Sequence, residues 1–267
     1  MKRRIMLTIA YDGTDYNGWQ IQPDAPTIEG ILDTELSRLL GEEIRVIGAS
    51  RTDAGVHAEG AIAVFDTDSG IPGEKFSYAI NQSLPKDIVV RRSEEVPSDF
   101  HPRKTDCRKT YRYSIWHDTF PDPLIDRYTY HLHYPIDVRS MEEAAQHFAG
   151  THDFAGFCSA AADVASTVRT IYEMKIICEN TSPVPKEDGR SYYGRIDIYV
   201  TGNGFLYNMV RIMAGTLIDV GCGKIAGVDI PDIIASCDRT RAGNTAPAKG
   251  LTLMGYTFRG IGKDGSR

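Results

Sequence analysis

TIEGILDTELSRLLGEEIRVIGASRTDAGVHAEGAIAVFD, residues 27–66, changes its apolar period twice, and those changes set the fold. Ile28, Ile31, Leu32, Leu36, Leu39 and Leu40 recur at helical spacing and line one face of a helix over 27–40. Thr27 stands where an N-cap is wanted, and Gly41 where the helix must stop. β-Formers at 43–48 and again at 60–66 predict two strands separated by a loop of small residues. Upstream, RIMLTIAY at 4–11 runs into Asp12-Gly13, a strand that ends in a turn. Downstream, a helix fits 74–83, stopping before Leu84-Pro85, and Asp87–Arg91 makes a short strand. The resulting order, β-α-β-β-α-β, is that of a ferredoxin-like unit.

The second half offers a comparable series. Residues 108–117 alternate as a strand, and Ser140 with Glu143 predicts a capping box. The helix so capped carries Met141, Ala144, Ala145 and Phe148 and is closed by Gly150. Strands are expected at 168–178 and 192–201, a long apolar helix at 204–220, a short helix near 231–237 and a last strand at 250–258. The polar, Pro-bearing stretch 179–191 reads as a loop. No repeat is visible in the sequence, so duplication rests on element order alone. The expected fold is α+β: two ferredoxin-like, RRM-like units whose antiparallel sheets form a shared central sheet, with an active-site cleft between them. The first domain is expected over 1–103, bearing the Asp53 loop, and the second over 104–267, completing the cleft.

Of the 267 residues 42% are hydrophobic and 25% charged, which is ample for a packed core in one large domain or two smaller ones. Five scattered cysteines without a C-x-x-C pair argue against a disulfide framework or zinc knuckle and for reduced thiols in a cytoplasmic protein. The apolar start of the chain runs into a turn too early for a signal peptide, and no window reaches the roughly 18 apolar residues of a membrane span. The net charge of −6 is unevenly placed: HPRKTDCRKTYR at 101–112 carries five cations and one Asp, while 29–43 carries five carboxylates and one Arg. One cationic face on an acidic body is therefore available to a polyanion, although a charged strand edge has the same composition.

GASRTDAGVHA at 48–58 leaves few groups able to do chemistry, because seven of its eleven residues are Gly, Ala, Ser or Val. Small residues around a single Asp let a substrate's backbone come close. Arg51 could hold the Asp53 carboxyl ionised, as a nucleophile or a base. By local sequence alone a turn-forming Asp is the commoner explanation. His57 has no partner at metal-ligand spacing, and neither His131/His133 nor His147/His152 makes a zinc pattern. A metal is not expected, and His57 reads as structural or substrate-orienting.

On strand 108–115, Arg108, Thr110, Arg112 and Ser114 share one face and Lys109, Tyr111, Tyr113 and Ile115 the other. Tyr111 flanked by cations could stack on a base, a contact contributing about 1–3 kcal/mol. Tyr113 reads as an ordinary core ring. In the 204–220 helix, Gly204, Asn208, Arg211 and Gly215 form a stripe beside the apolar one of Phe205, Met209, Ile212, Met213 and Val220. Each helical Gly costs about 1 kcal/mol relative to Ala, which close approach of a ligand or of another backbone would justify.

Taken together these stretches resemble the tRNA pseudouridine synthase I (TruA) family nearly end to end. The resemblance is carried by YDGTDYNGWQIQP at 11–23, RTDAGVHA at 51–58, KTYRYSI at 109–115, GNGFLYNMVRIMAGTL at 202–217 and APAKGLTL at 246–253. It implies a cytoplasmic homodimer acting on tRNA, isomerising uridine to pseudouridine at positions 38, 39 and 40 of the anticodon stem-loop. It also implies no cofactor, small-molecule or metal, and no membrane partner. Asp53 is then the catalytic aspartate, Tyr111 packs on the target base and Arg211 pairs with Asp53. Arg51 fills the gap left by the flipped nucleotide, and Leu251 lines the pocket. Ser50 replaces the family's commoner Gly, and 179–191 looks like an insertion. Two other classes compete: a non-catalytic RNA binder on RRM-like units, and a metal-dependent hydrolase using Asp53 and His57.

Overall fold

A computed structural model describes residues 2–159, 164–187 and 189–259. Along the chain come β1 (Arg3–Tyr11), α1 (Ile28–Leu40), β2 (Ile47–Gly48), β3 (His57–Thr67), α2 (Phe76–Ile80) and β4 (Ile88–Val96). There follow β5 (Cys107–His117), β6 (Tyr130–Leu132), α3 (Val138–Ala145), β7 (Gly150–Asp153), β8 (Val168–Cys178), β9 (Val184–Pro185) and β10 (Ser191–Tyr192). The last elements are β11 (Gly194–Gly202), α4 (Met209–Gly221), α5 (Ile230–Ser236) and β12 (Leu251–Phe258). The fold is mixed α+β with mainly antiparallel strands, and it divides into two compact units. One comprises the chain up to Cys107 together with the chain from Thr252 on; the other runs Arg108–Leu251.

In the first unit β1 lies between β3 and β4, antiparallel to both, and β2 pairs with β3. β12 runs parallel to the start of β3, with Thr252 opposite His57 and Leu253 opposite Ala58. Strand alternation sends Ile5, Leu7 and Ile9 to one face, where Phe65, across from Ile5, meets Phe76 of α2 edge-on. The other face has its own cluster of Met6, Ala49, Ile62, Val64, Val96 and Phe100, with Tyr256 and Phe258 against it. Helix α1 begins and ends where the sequence places it. Thr27 accepts from the Gly30 N–H, and Gly41 takes the left-handed conformation with φ 69°.

The expected strand at 43–48 shrinks to Ile47–Gly48, because side chains of α1 reach its backbone first. Ser37 accepts from the Ile44 N–H at 2.8 Å and Asp33 from the Val46 N–H at 2.7 Å. Burial pushes the Asp33 carboxyl above its usual range, while the Val46 N–H and Arg45 pull it down. The helix expected at 74–83 is a 3-10 turn at Gly73–Lys75 followed by α2.

In the second unit the sheet order is β5-β11-β8-β7, with β6 parallel to β5. Register puts Tyr111, Tyr113 and Ile115 beside Val200, Ile198 and Ile196, and all six are buried. α4 is buried at nearly every position, as its all-round apolar sequence requires.

Three expectations are corrected here. The cap of α3 is Asp137, which accepts from the N–H groups of Arg139 and Ser140; Ser140 lies inside the helix and its hydroxyl donates to Asp137. α4 starts at Met209 after Asn208, whose φ of 60° cannot continue a helix, so Gly204 and Phe205 precede it. The 179–191 stretch is not all irregular: β9 and β10 pair within it and beside it, though residue 188 lies outside the described residues.

Candidate active site

Asp53 sits in a turn closed by main-chain atoms, the Val56 N–H donating to the Asp53 carbonyl at 3.1 Å, with Gly55 at φ 76°. Its side chain is half-buried, Arg51 is exposed and Thr52 is buried. The turn-forming reading and the chemical reading of Asp53 are therefore compatible, since the backbone makes the turn.

The 11–19 segment holds this loop. The Trp19 N–H donates to the Thr52 carbonyl at 3.0 Å, and the Gly55 N–H to the Tyr16 carbonyl at 3.3 Å. A Cβ on Gly13 would overlap the Val56 carbonyl, and one on Gly18 (φ 86°) would lie 2.5 Å from the Thr52 oxygen. Only glycine lets the two backbones meet here. His57 is 3% exposed; its Nδ1 accepts from the Gly13 N–H at 3.0 Å and lies 3.2 Å from Asp12 Oδ1. Both contacts are with the segment that braces the loop. Nothing in the apolar pattern of 11–23 assigns it this task. The paired glycines in Asp-Gly and Asn-Gly-Trp were the available signal.

Tyr111, Arg211 and Leu251 belong to the second unit. The Tyr111 ring is 7% exposed and meets Phe205 edge-on, centroids 5.2 Å apart. Arg211, in the first turn of α4, donates from Nε to the Ala246 carbonyl at 2.8 Å and from Nη1 to Asn208 Oδ1 at 2.7 Å. The Ala246 N–H returns a bond to the Arg211 carbonyl at 3.1 Å. The stretches 202–217 and 246–253 are thereby joined. The glycine cost at 215 is explained the same way: a Cβ there would overlap the Asn244 carbonyl. Close approach of a backbone, the more ordinary of the two expected reasons, is what the structure contains.

Tyr113 does more than fill the core. Its hydroxyl donates to the Pro247 carbonyl at 3.0 Å, and Gly250 leaves room for its ring. It thus shapes the approach to Leu251, which is buried. Burial raises the Tyr113 phenol well above its ordinary value, with Arg211 acting in the opposite direction. Among the described residues no three His, Cys, Asp or Glu side chains gather as a metal site, and no helix is long and apolar enough to cross a membrane.

Known proteins match nearly the whole of this chain. Residues 7–103 and 144–259 match the family described as tRNA pseudouridine synthase. A protein of Ruminiclostridium cellulolyticum named tRNA pseudouridine synthase A is 51% identical over 252 residues, covering 94% of this chain and 98% of its own. Proteins of the same name from Acetivibrio thermocellus (94% of this chain, 98% of its own) and Brevibacillus brevis (96% and 100%) are 47% and 45% identical. The chain belongs to the tRNA pseudouridine synthase family.

Proposed function

We propose that this chain isomerises uridine to pseudouridine in tRNA, at positions 38, 39 and 40 of the anticodon stem-loop. The observation that carries the proposal is the match with synthases over nearly the whole chain, with Asp53 half-buried on a braced loop of small residues. In this reading Asp53 is catalytic, and Arg51, Tyr111, Arg211 and Leu251 contact the substrate. Arg51 fills the space left by the extruded nucleotide, Tyr111 packs on the base, Arg211 pairs with Asp53 and Leu251 lines the pocket. The division at 103/104 expected from the sequence gives two domains of ferredoxin-like, RRM-like type, with the last strand, from Thr252 on, counted in the first unit and not the second. The protein works as a cytoplasmic homodimer without a cofactor.

Extruding the base costs a few kcal/mol, least where stacking is already weak, as at a stem-loop junction. The bond from ribose C1′ to N1 breaks, the uracil turns in place, C5 bonds to C1′, the C5 proton leaves and N1 gains one. Attack on C1′, addition at C6 and removal of the 2′ proton each begin from an ionised carboxylate beside the sugar. Water must be kept away so that free uracil is not lost.

Asp53→Asn keeps the shape and removes the charge. Pseudouridine formation should fall by at least about 10²–10⁴-fold with tRNA affinity retained, as read by nucleoside mapping and filter binding. Undiminished activity in Asp53→Asn would sink the assignment. Mapping tRNA from cells with and without the protein identifies the positions, and sedimentation velocity identifies the dimer.

A further inference from the structure

Resting on the reading of Asp53 as the catalytic residue, we propose that Tyr11 is a positioning residue for the same reaction. Its phenol fixes the side chain of Thr52 and thereby sets the direction of the adjacent carboxylate. The Tyr11 hydroxyl and Thr52 Oγ1 are 2.7 Å apart, with the two residues 5% and 7% exposed. A hydroxyl pair shielded from water is directional, and little solvent competes for either partner. Packing alone does not distinguish the Thr52 hydroxyl from its methyl, whereas the hydrogen bond selects the rotamer that aims the hydroxyl at Tyr11.

The same residue is gripped from its main chain. The Thr52 carbonyl accepts from the Trp19 N–H, and Gly18 is pressed against it. Trp19 and Gly18 are in turn fastened to the start of α1, their carbonyls accepting from Glu29 at 3.0 Å and Ile28 at 3.2 Å. At the loop's entrance the Trp19 indole lies so close to Gly48 that a Cβ there would overlap it. The Gly48 carbonyl accepts from Arg103 Nε at 2.7 Å. Thr52 is thus tied through its carbonyl to a helix and through its hydroxyl to β1. Its neighbours, exposed Arg51 and half-buried Asp53, are carried on the open side of the loop. Of these ties only the hydroxyl pair can be removed without changing backbone or volume.

Tyr11→Phe, Thr52→Val, Thr52→Ser and the Tyr11→Phe/Thr52→Val double variant provide the test, with kcat and KM measured on an anticodon stem-loop transcript. Thermal unfolding of each variant sets an assay temperature at which all are folded. Misplacement of the acting group should lower kcat about tenfold in Tyr11→Phe and in Thr52→Val, with KM unchanged. Thr52→Ser, which keeps the hydroxyl, should restore kcat, and the double variant should be no worse than the poorer single one. A rise in KM at constant kcat, additive losses in the double variant, or wild-type kcat in both singles would overturn the proposal. Absence of pseudouridine with the wild-type protein would instead overturn the functional reading itself.

Discussion

Gly215 shows at the scale of one residue how a helical propensity can be outweighed. Replacing an interior helical Gly by Ala ordinarily gains about 1 kcal/mol. Here the added methyl meets the Asn244 carbonyl, and overpacking of that kind costs about 1–3 kcal/mol. Gly215→Ala should therefore lower the urea midpoint rather than raise it. His117 gives a residue-scale prediction for acid. It is fully buried, its Nδ1 accepts from the Tyr193 N–H at 3.1 Å, and Nε2 lies 3.1 Å from the Tyr134 carbonyl. Burial holds its pKa below the ordinary value. The unfolded chain thus takes up the proton more readily, so stability is full above about pH 6.5 and declines as pH falls below it. Unfolding midpoints measured from pH 7 to pH 5 should show that slope, and His117→Gln should flatten it.

At the scale of elements, α3 separates two accounts of its own start. With Asp137 as the cap, Asp137→Ala should cost about 1 kcal/mol, and Ser140→Ala distinctly less. The reverse order in denaturant titrations would restore the capping box at Ser140. The Ser140 hydroxyl and the N–H groups of Ser140 and Arg139, all donating to the Asp137 carboxylate, hold it below its usual range. A depressed carboxylate stabilises the fold above its unfolded pKa, near 3.9, and that contribution is lost as pH falls through the lower folded value. The cap at Thr27, by contrast, was legible in advance: Asp24 also stands three residues upstream, but Pro26 disfavours helical backbone at Ala25 and so keeps a helix from starting there. At α3 two candidates lie three residues apart, and only the backbone angles decide between them.

For the whole molecule, the net charge of −6 and the proposed tRNA substrate have to be reconciled. Local placement answers this: 101–112 carries five Lys or Arg against one Asp, while 29–43 carries five carboxylates against one Arg. If the local cations meet phosphates, KM for tRNA should rise at least about tenfold between 50 and 200 mM salt, with kcat little changed. A flat salt response would remove phosphate contacts from the account.

Sequence alone determined the α+β class, the helix at 27–40 and the family, because apolar period, caps and five ordered motifs are local properties of the chain. It also singled out Asp53, though only through the company of Tyr111, Arg211 and the family motifs; its own turn composition pointed elsewhere. Tertiary structure decided which partners win. Asp33 and Ser37 take the backbone donors that a longer β2 would have used. Asn208 turns the chain so that α4 starts five residues after Gly204, and Asn244 accounts for Gly215. It alone brought Tyr11, Gly13, Gly18 and Trp19 onto the Asp53 loop from more than thirty positions away. The physical reason is the same throughout: propensity and pattern rank the options of a segment by itself, whereas hydrogen-bond competition and backbone contact are settled by residues remote in sequence.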